Sequence, residues 1–211
     1  MENNFKSVED IRTIRKMMEE STRFLSLSGL SGIFAGVFAI AGALIAYFLI
    51  LNNGSIHQDE YFQILTEKET LIVRWKLIAD ALSVLILSMV FSLWFSSQKA
   101  KREGKTFWSP VSKRLLISML IPLITGGIFI IVLLIQNNMQ LIVPGLLIFY
   151  GLSLVNAGKF TYDEVFYLGI LEIITGLVSA FFSGWGIIFW IFGFGLLHIV
   201  YGVIMYRKYE A

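Results

Sequence analysis

Apolar residues gather along this chain into long uninterrupted blocks divided by short charged stretches. No charged residue occurs from Phe24 to Asn53 or from Leu115 to Gly158, and between Val165 and Tyr206 the only Asp, Glu, Lys or Arg is Glu172. A helix crosses a bilayer core in about 20 residues, so each of the two later blocks is too long for one crossing and must turn back on itself. The pattern predicts spans at about 24–51, 75–97, 115–135, 141–157, 165–183 and 187–206. The fold class expected is all-α: a polytopic membrane protein of six transmembrane helices in three hairpins, the membrane domain covering 24–211.

Residues 1–23 follow another rhythm. Phe5, Val8, Ile11, Ile14 and Met17 or Met18 recur on one helical face, and Ser7 with Asp10 three residues on resembles a capping box. This predicts an amphipathic cytoplasmic helix that lies on the inner leaflet or docks on a protein surface. The first apolar block is too long, and follows too many charged residues, to read as a signal peptide.

Composition agrees with a bilayer setting: the 211 residues are 56% hydrophobic and 15% charged, against about 25% charged in soluble domains. The absence of cysteine removes disulfides, thiolate metal sites and cysteine nucleophiles together. Charge matters more by place than by sum. Fourteen of the seventeen Lys and Arg fall in residues 1–23, in the loop between spans two and three, at Lys159 and at Arg207 and Lys208; Lys68, Arg74 and Lys76 lie on the other side. Cations favour the cytoplasmic side, so both termini are expected there. That rule accounts for the basic loop at 99–105 without nucleic acid as a partner.

Span one carries Gly29, Gly32, Gly36, Ala39 and Ala43 at helical spacing, a stripe that lets helices approach closely in lipid and can alternatively line a pore. In the outer loop, Asn53-Gly54 marks a turn, and His57, Asp59 and Glu60 are spaced too loosely for a metal site. No metal or cofactor is expected. A repeat is visible further on: Ile124–Gly126 recurs at Ile174–Gly176, and Tyr150-Gly151 at Tyr201-Gly202. Spans three and four thus read as a diverged copy of spans five and six.

Two polar residues stand out inside the last apolar block. Glu172 has Gly169 and Gly176 at −3 and +4; His198 has Gly195 and Gly202 at the same offsets. Both therefore sit on small-residue faces, which point at other helices. They are equally distant from the turn at Trp185, so a hairpin folded there brings them to one level. A charge at the centre of a membrane helix costs about 2.5–3.5 kcal/mol, which a proton on Glu172 or a pairing with His198 relieves. Thr175, Ser179 and Tyr201 are candidates for the remaining lone pairs. The pair has two readings: a proton or ligand site, or a polar clamp that fixes helix register. A second group, Arg74, Lys76 and Asp80, lies at the outer end of span two, where Lys76 and Asp80 can pair along the helix. It reads as an outer vestibule or as an interfacial salt bridge.

Across G-I-L-E-I-I-T-G-L-V-S-A-F-F-S-G-W-G and G-F-G-L-L-H-I-V-Y-G, and at L-I-F-Y-G-L-S-L-V-N-A-G-K-F-T, the chain resembles uncharacterised six-span integral membrane proteins of Bacteroidetes-type bacteria. Its glycine-bounded hairpins are more distantly similar to the acid-resistance, HdeD-like membrane proteins. The resemblance implies a bacterial inner membrane and no assigned catalytic residue. Phosphate-loop, H-E-x-x-H and G-x-S-x-G motifs are absent. The leading reading is non-enzymatic: an inner-membrane protein whose buried Glu/His site serves sensing, stress response or accessory binding. A small proton-coupled transporter or channel is the first rival, and a lipid-directed enzyme near Arg74 and Asp80 the second. Expected partners are the lipid bilayer, a second copy of the chain, and a lipid or small-molecule ligand.

Overall fold

A computed structural model describes residues 23–51, 67–182 and 184–211. The amphipathic helix expected over 1–23 and the outer-loop turn at Asn53-Gly54 lie outside them. The described residues are helical, with no strand among them, and six helices are long and apolar enough to cross a membrane. We number them α1 (Gly29–Ile50), α2 (Glu67–Arg102), α3 (Pro110–Ile135), α4 (Ile142–Gly158), α5 (Asp163–Phe181) and α6 (Gly186–Tyr209).

The helices pack in the order α2, α1, α6, α5, α4, α3. The most extensive pairing joins α4 to α5, across the boundary between two expected hairpins. Glycine is the cause. A Cβ added to Gly151 of α4 would lie 2.6 Å from the Gly169 carbonyl oxygen, and one on Gly169 would lie 2.7 Å from that of Gly151. Gly29 of α1 and Gly202 of α6 meet in the same reciprocal way, at 2.5 and 2.6 Å. In lipid, where apolar burial gives helices little reason to associate, such close backbone contact supplies the dispersion energy. The stripe read in span one thus packs on α6. α2 and α3, at the two ends of the row, are the least covered.

Span one is shorter than its apolar run. Helix starts at Gly29, and residues 24–28 are not helical, with Ser28 extended at φ −95° and ψ 135°. The loop between α4 and α5 holds this segment: the Phe24 N–H donates to the Phe160 carbonyl at 2.7 Å, and the Thr161 hydroxyl to the Phe24 carbonyl at 2.7 Å. Arg23 adds an ion pair with Asp163 at 3.0 Å. Hydropathy alone cannot register such a clamp, because its bonds come from residues 136 and more positions away. α2 is longer than the expected span at both ends, α3 begins five residues earlier at Pro110 with a Ser109–Ser112 capping box, and α3 runs on through Pro122.

α6 is not uniform. Residues Ile191–Leu197 form a π-helical stretch containing Gly193 and Gly195. Such widened turns are uncommon and recur at functional sites; this one directly precedes His198.

Candidate functional site

α5 and α6 carry Glu172 and His198 to one level inside the bundle. Glu172 is fully buried and His198 is 5% exposed. The imidazole Nδ1 lies 3.3 Å from Glu172 Oε1 and 3.2 Å from the Gly193 carbonyl oxygen five residues earlier. The widened π turn sets that carbonyl against the ring. Gly193 also makes room for the acid: a Cβ there would sit 2.7 Å from Glu172 Oε2 and 2.5 Å from Leu147 Cδ2.

His198 is held at both nitrogens. Nε2 lies 2.9 Å from the Tyr150 hydroxyl of α4. A carbonyl can only accept, so Nδ1 carries the proton in the bond to Gly193. Neutral His198 then accepts from the Tyr150 hydroxyl; protonated His198 donates to the same oxygen, because a phenol does either. The ring can gain or lose a proton and keep both bonds. Glu172 is the opposite case. Although His198 Nδ1 is within ion-pair distance, neither carboxyl oxygen has a hydrogen-bond donor among the described residues. Direction decides between these two facts: the Nδ1–H is shared with, and better spent on, the Gly193 carbonyl. A buried polar side chain without partners costs free energy in any form, and most when it is charged.

Thr175 and Tyr201, expected to satisfy Glu172, do not. The Thr175 hydroxyl donates back to the Leu171 carbonyl at 2.7 Å, and the Tyr201 ring packs where a side chain on Gly32 of α1 would go. The partner that sequence reasoning missed is Tyr150. Its signal was there, in the Tyr150-Gly151 half of the repeat whose other half is Tyr201-Gly202.

The outer group disperses. Arg74 donates from Nη1 to the Asn137 side-chain oxygen at 2.5 Å, in the loop that follows α3. Lys76 is exposed, and Asp80 is half-buried against Gly42 of α1. No ion pair joins Lys76 to Asp80, which corrects the expected pairing along the helix: the acid turns to the space over the glycine, and the lysine stays outside.

A second acid–base pair lies at the terminal end of the bundle, where the start of α1 meets the end of α6. Lys99, expected as a surface cation of a basic loop, is 8% exposed. Its ammonium donates to the Leu27 carbonyl at 2.8 Å and lies 3.4 Å from Glu210 Oε1. That oxygen accepts from the Gly29 N–H at 2.6 Å, and Oε2 accepts from the Ser28 hydroxyl at 3.1 Å. A carboxylate at a helix N-terminus meets free N–H groups and the positive end of the dipole. Tyr162 closes the cluster by donating to the Leu25 carbonyl. Burial, then the neighbouring carboxylates led by Glu103, pushes its phenol well above the ordinary range.

Fold and site together define a multi-pass helical membrane protein with an acid–imidazole–phenol cluster in its interior. No family model, curated protein or solved structure matches the chain.

Proposed function

We propose that this is a non-enzymatic membrane protein whose Glu172–His198 pair binds a proton and reports its occupancy through helix packing, a sensing or stress-response role. The supporting observation is the fully buried Glu172 carboxyl, without a donor, beside an imidazole whose partners tolerate both protonation states. One proton shared by acid and ring serves both. The Lys and Arg distribution supports cytoplasmic termini, and a bacterial inner membrane rests on the resemblance alone.

Infrared titration of the protein in nanodiscs tests this. A carboxyl band that is lost in Glu172→Gln and changes with pH is expected. A Glu172 carboxylate that stays ionised wherever the protein is folded would remove the reading. Proton-coupled transport is the second reading, favoured by the same buried pair; it predicts proton-dependent flux in liposomes that Glu172→Gln abolishes. The lipid-enzyme reading is weakened by the separation of Arg74, Lys76 and Asp80.

A further inference from the structure

The surroundings of Glu172 differ toward the two ends of the bundle. Toward the terminal end lies a packed layer drawn from three helices: Leu154 and Ala157 of α4, Val165 and Leu168 of α5, and Met205 of α6. The ring of Tyr162 is buried in it, and Leu197, Tyr150 and Tyr201 pack against it; the Tyr162 hydroxyl is already spent on the Leu25 carbonyl. Toward the Trp185 end, α5 itself continues polar on the same face. Thr175 and Ser179 follow Glu172 at +3 and +7 and are both buried, at 6% and 3% exposure. The Thr175 hydroxyl spends its proton on Leu171 and keeps its lone pairs for a passing donor. Beside the carboxyl stands Leu147 of α4, fully buried; its Cδ2 and Glu172 Oε2 abut the same point over Gly193.

We propose that protons and the water carrying them reach Glu172 from the Trp185 end, along Thr175 and Ser179, with Leu147 as the gate. Hydroxyls can pass a proton along by accepting and donating in turn, which methyl groups cannot do. A leucine wedged over a glycine can swing aside without unpacking a whole layer, whereas the terminal-end barrier needs three helices to part. The titratable groups around the carboxyl are His198 and Tyr201 of α6 and Tyr150 of α4; α1 and α3 carry no acid, lysine, arginine or histidine at that level. This inference rests on the proton-site reading and adds its sidedness.

The cysteine-free chain allows a direct test in the full-length protein in membranes. Single variants Ser179→Cys, Thr175→Cys and Leu168→Cys are exposed to a membrane-impermeant methanethiosulfonate from either side, with Gln136→Cys and Lys105→Cys marking the two ends. Positions 179 and 175 are expected to react only from the Gln136 side, and position 168 from neither. Leu147→Ala is expected to raise the rate at 175 by about tenfold or more, since opening a buried site costs less once its cover is truncated. Reaction at 175 or 168 from the Lys105 side, no reaction at 175 and 179, or a rate unmoved by Leu147→Ala would overturn the route. Labelling reads access and the infrared titration reads the proton, so either can fail alone: a titrating carboxyl with Lys105-side labelling keeps the pair and removes the route.

Discussion

Glu210 and Glu172 are both carboxylates set beside a basic side chain within the bundle, yet the first is wrapped in donors and the second has none. Glu210 takes a backbone N–H, a hydroxyl and an ammonium, and ties the end of α6 to the start of α1 and to Lys99 of α2. Glu172 meets an imidazole that bonds elsewhere. A saturated ion pair is a fastener whose ionisation does not need to change. An unsaturated one is tolerable when a proton neutralises the acid. In the proposed reading the terminal cluster is a fastener and the interior pair is the proton site.

The largest effect expected of this difference is on stability. Removing one partner of a buried, hydrogen-bonded pair leaves a stranded charge and costs about 3–5 kcal/mol. Lys99→Ala should lose about that much in equilibrium unfolding, because Glu210 then keeps its charge at the start of α1. His198→Ala should lose only about 1–2 kcal/mol, since Glu172 can remain a neutral acid. Equal losses would erase the distinction between the two sites.

Side-chain amides sharpen it next. Glu210→Gln should cost about 1.5–3 kcal/mol, the usual worth of hydrogen bonds to a charged group. Glu172→Gln, of the same shape but unable to ionise, should change thermal stability by less than about 1 kcal/mol. A destabilised Glu172→Gln would mean the acid is held by donors after all.

Much of this architecture was legible beforehand, for definite reasons. Four apolar blocks, two of them long enough to turn back, dictate six crossings because unpaired backbone cannot sit in lipid. The equal glycine offsets around Glu172 and His198 put both on helix-facing surfaces, and their equal distances from the turn at Trp185 put them at one level. What was hidden is whatever depends on distant partners. Lys99 reads as a solvated loop cation, since nothing near it in the chain announces Glu210 more than a hundred residues on. Thr175, Ser179 and Tyr201 are the sequence candidates for the lone pairs of Glu172, yet neither carboxyl oxygen has a hydrogen-bond partner among the described residues, and Tyr150, from α4, bonds His198 instead. The π stretch at Ile191–Leu197 has no periodic signature beyond two glycines, yet it aims the Gly193 carbonyl at the ring.

Gly193 offers a steric probe of the interior pair alone. In Gly193→Ala the new methyl meets Glu172 Oε2 and Leu147 together, an overpacking expected to cost about 1–3 kcal/mol. In a Glu172→Ala background one of the two clashes is gone, so the double variant should recover part of the loss, a non-additivity that a thermodynamic cycle reads directly. Strict additivity would place the carboxyl away from Gly193.

The most local change is the most selective. Tyr150→Phe removes one hydroxyl and no volume, and should cost about 1 kcal/mol, the net worth of a single hydrogen bond. Its signature is spectroscopic. Nitrogen NMR of His198 should show Nε2 losing its hydrogen bond while Nδ1, held by Gly193, keeps its own. Tyr201→Phe should leave both nitrogens unchanged, because that ring leans on Gly32 of α1. The terminal cluster gives the contrast: Tyr162→Phe frees the Leu25 carbonyl without altering His198 at all, since the two hydroxyls belong to different networks. If Tyr162→Phe did shift the His198 resonances, the two acid–base pairs would be one coupled system along α6, and the division between fastener and working site would fail.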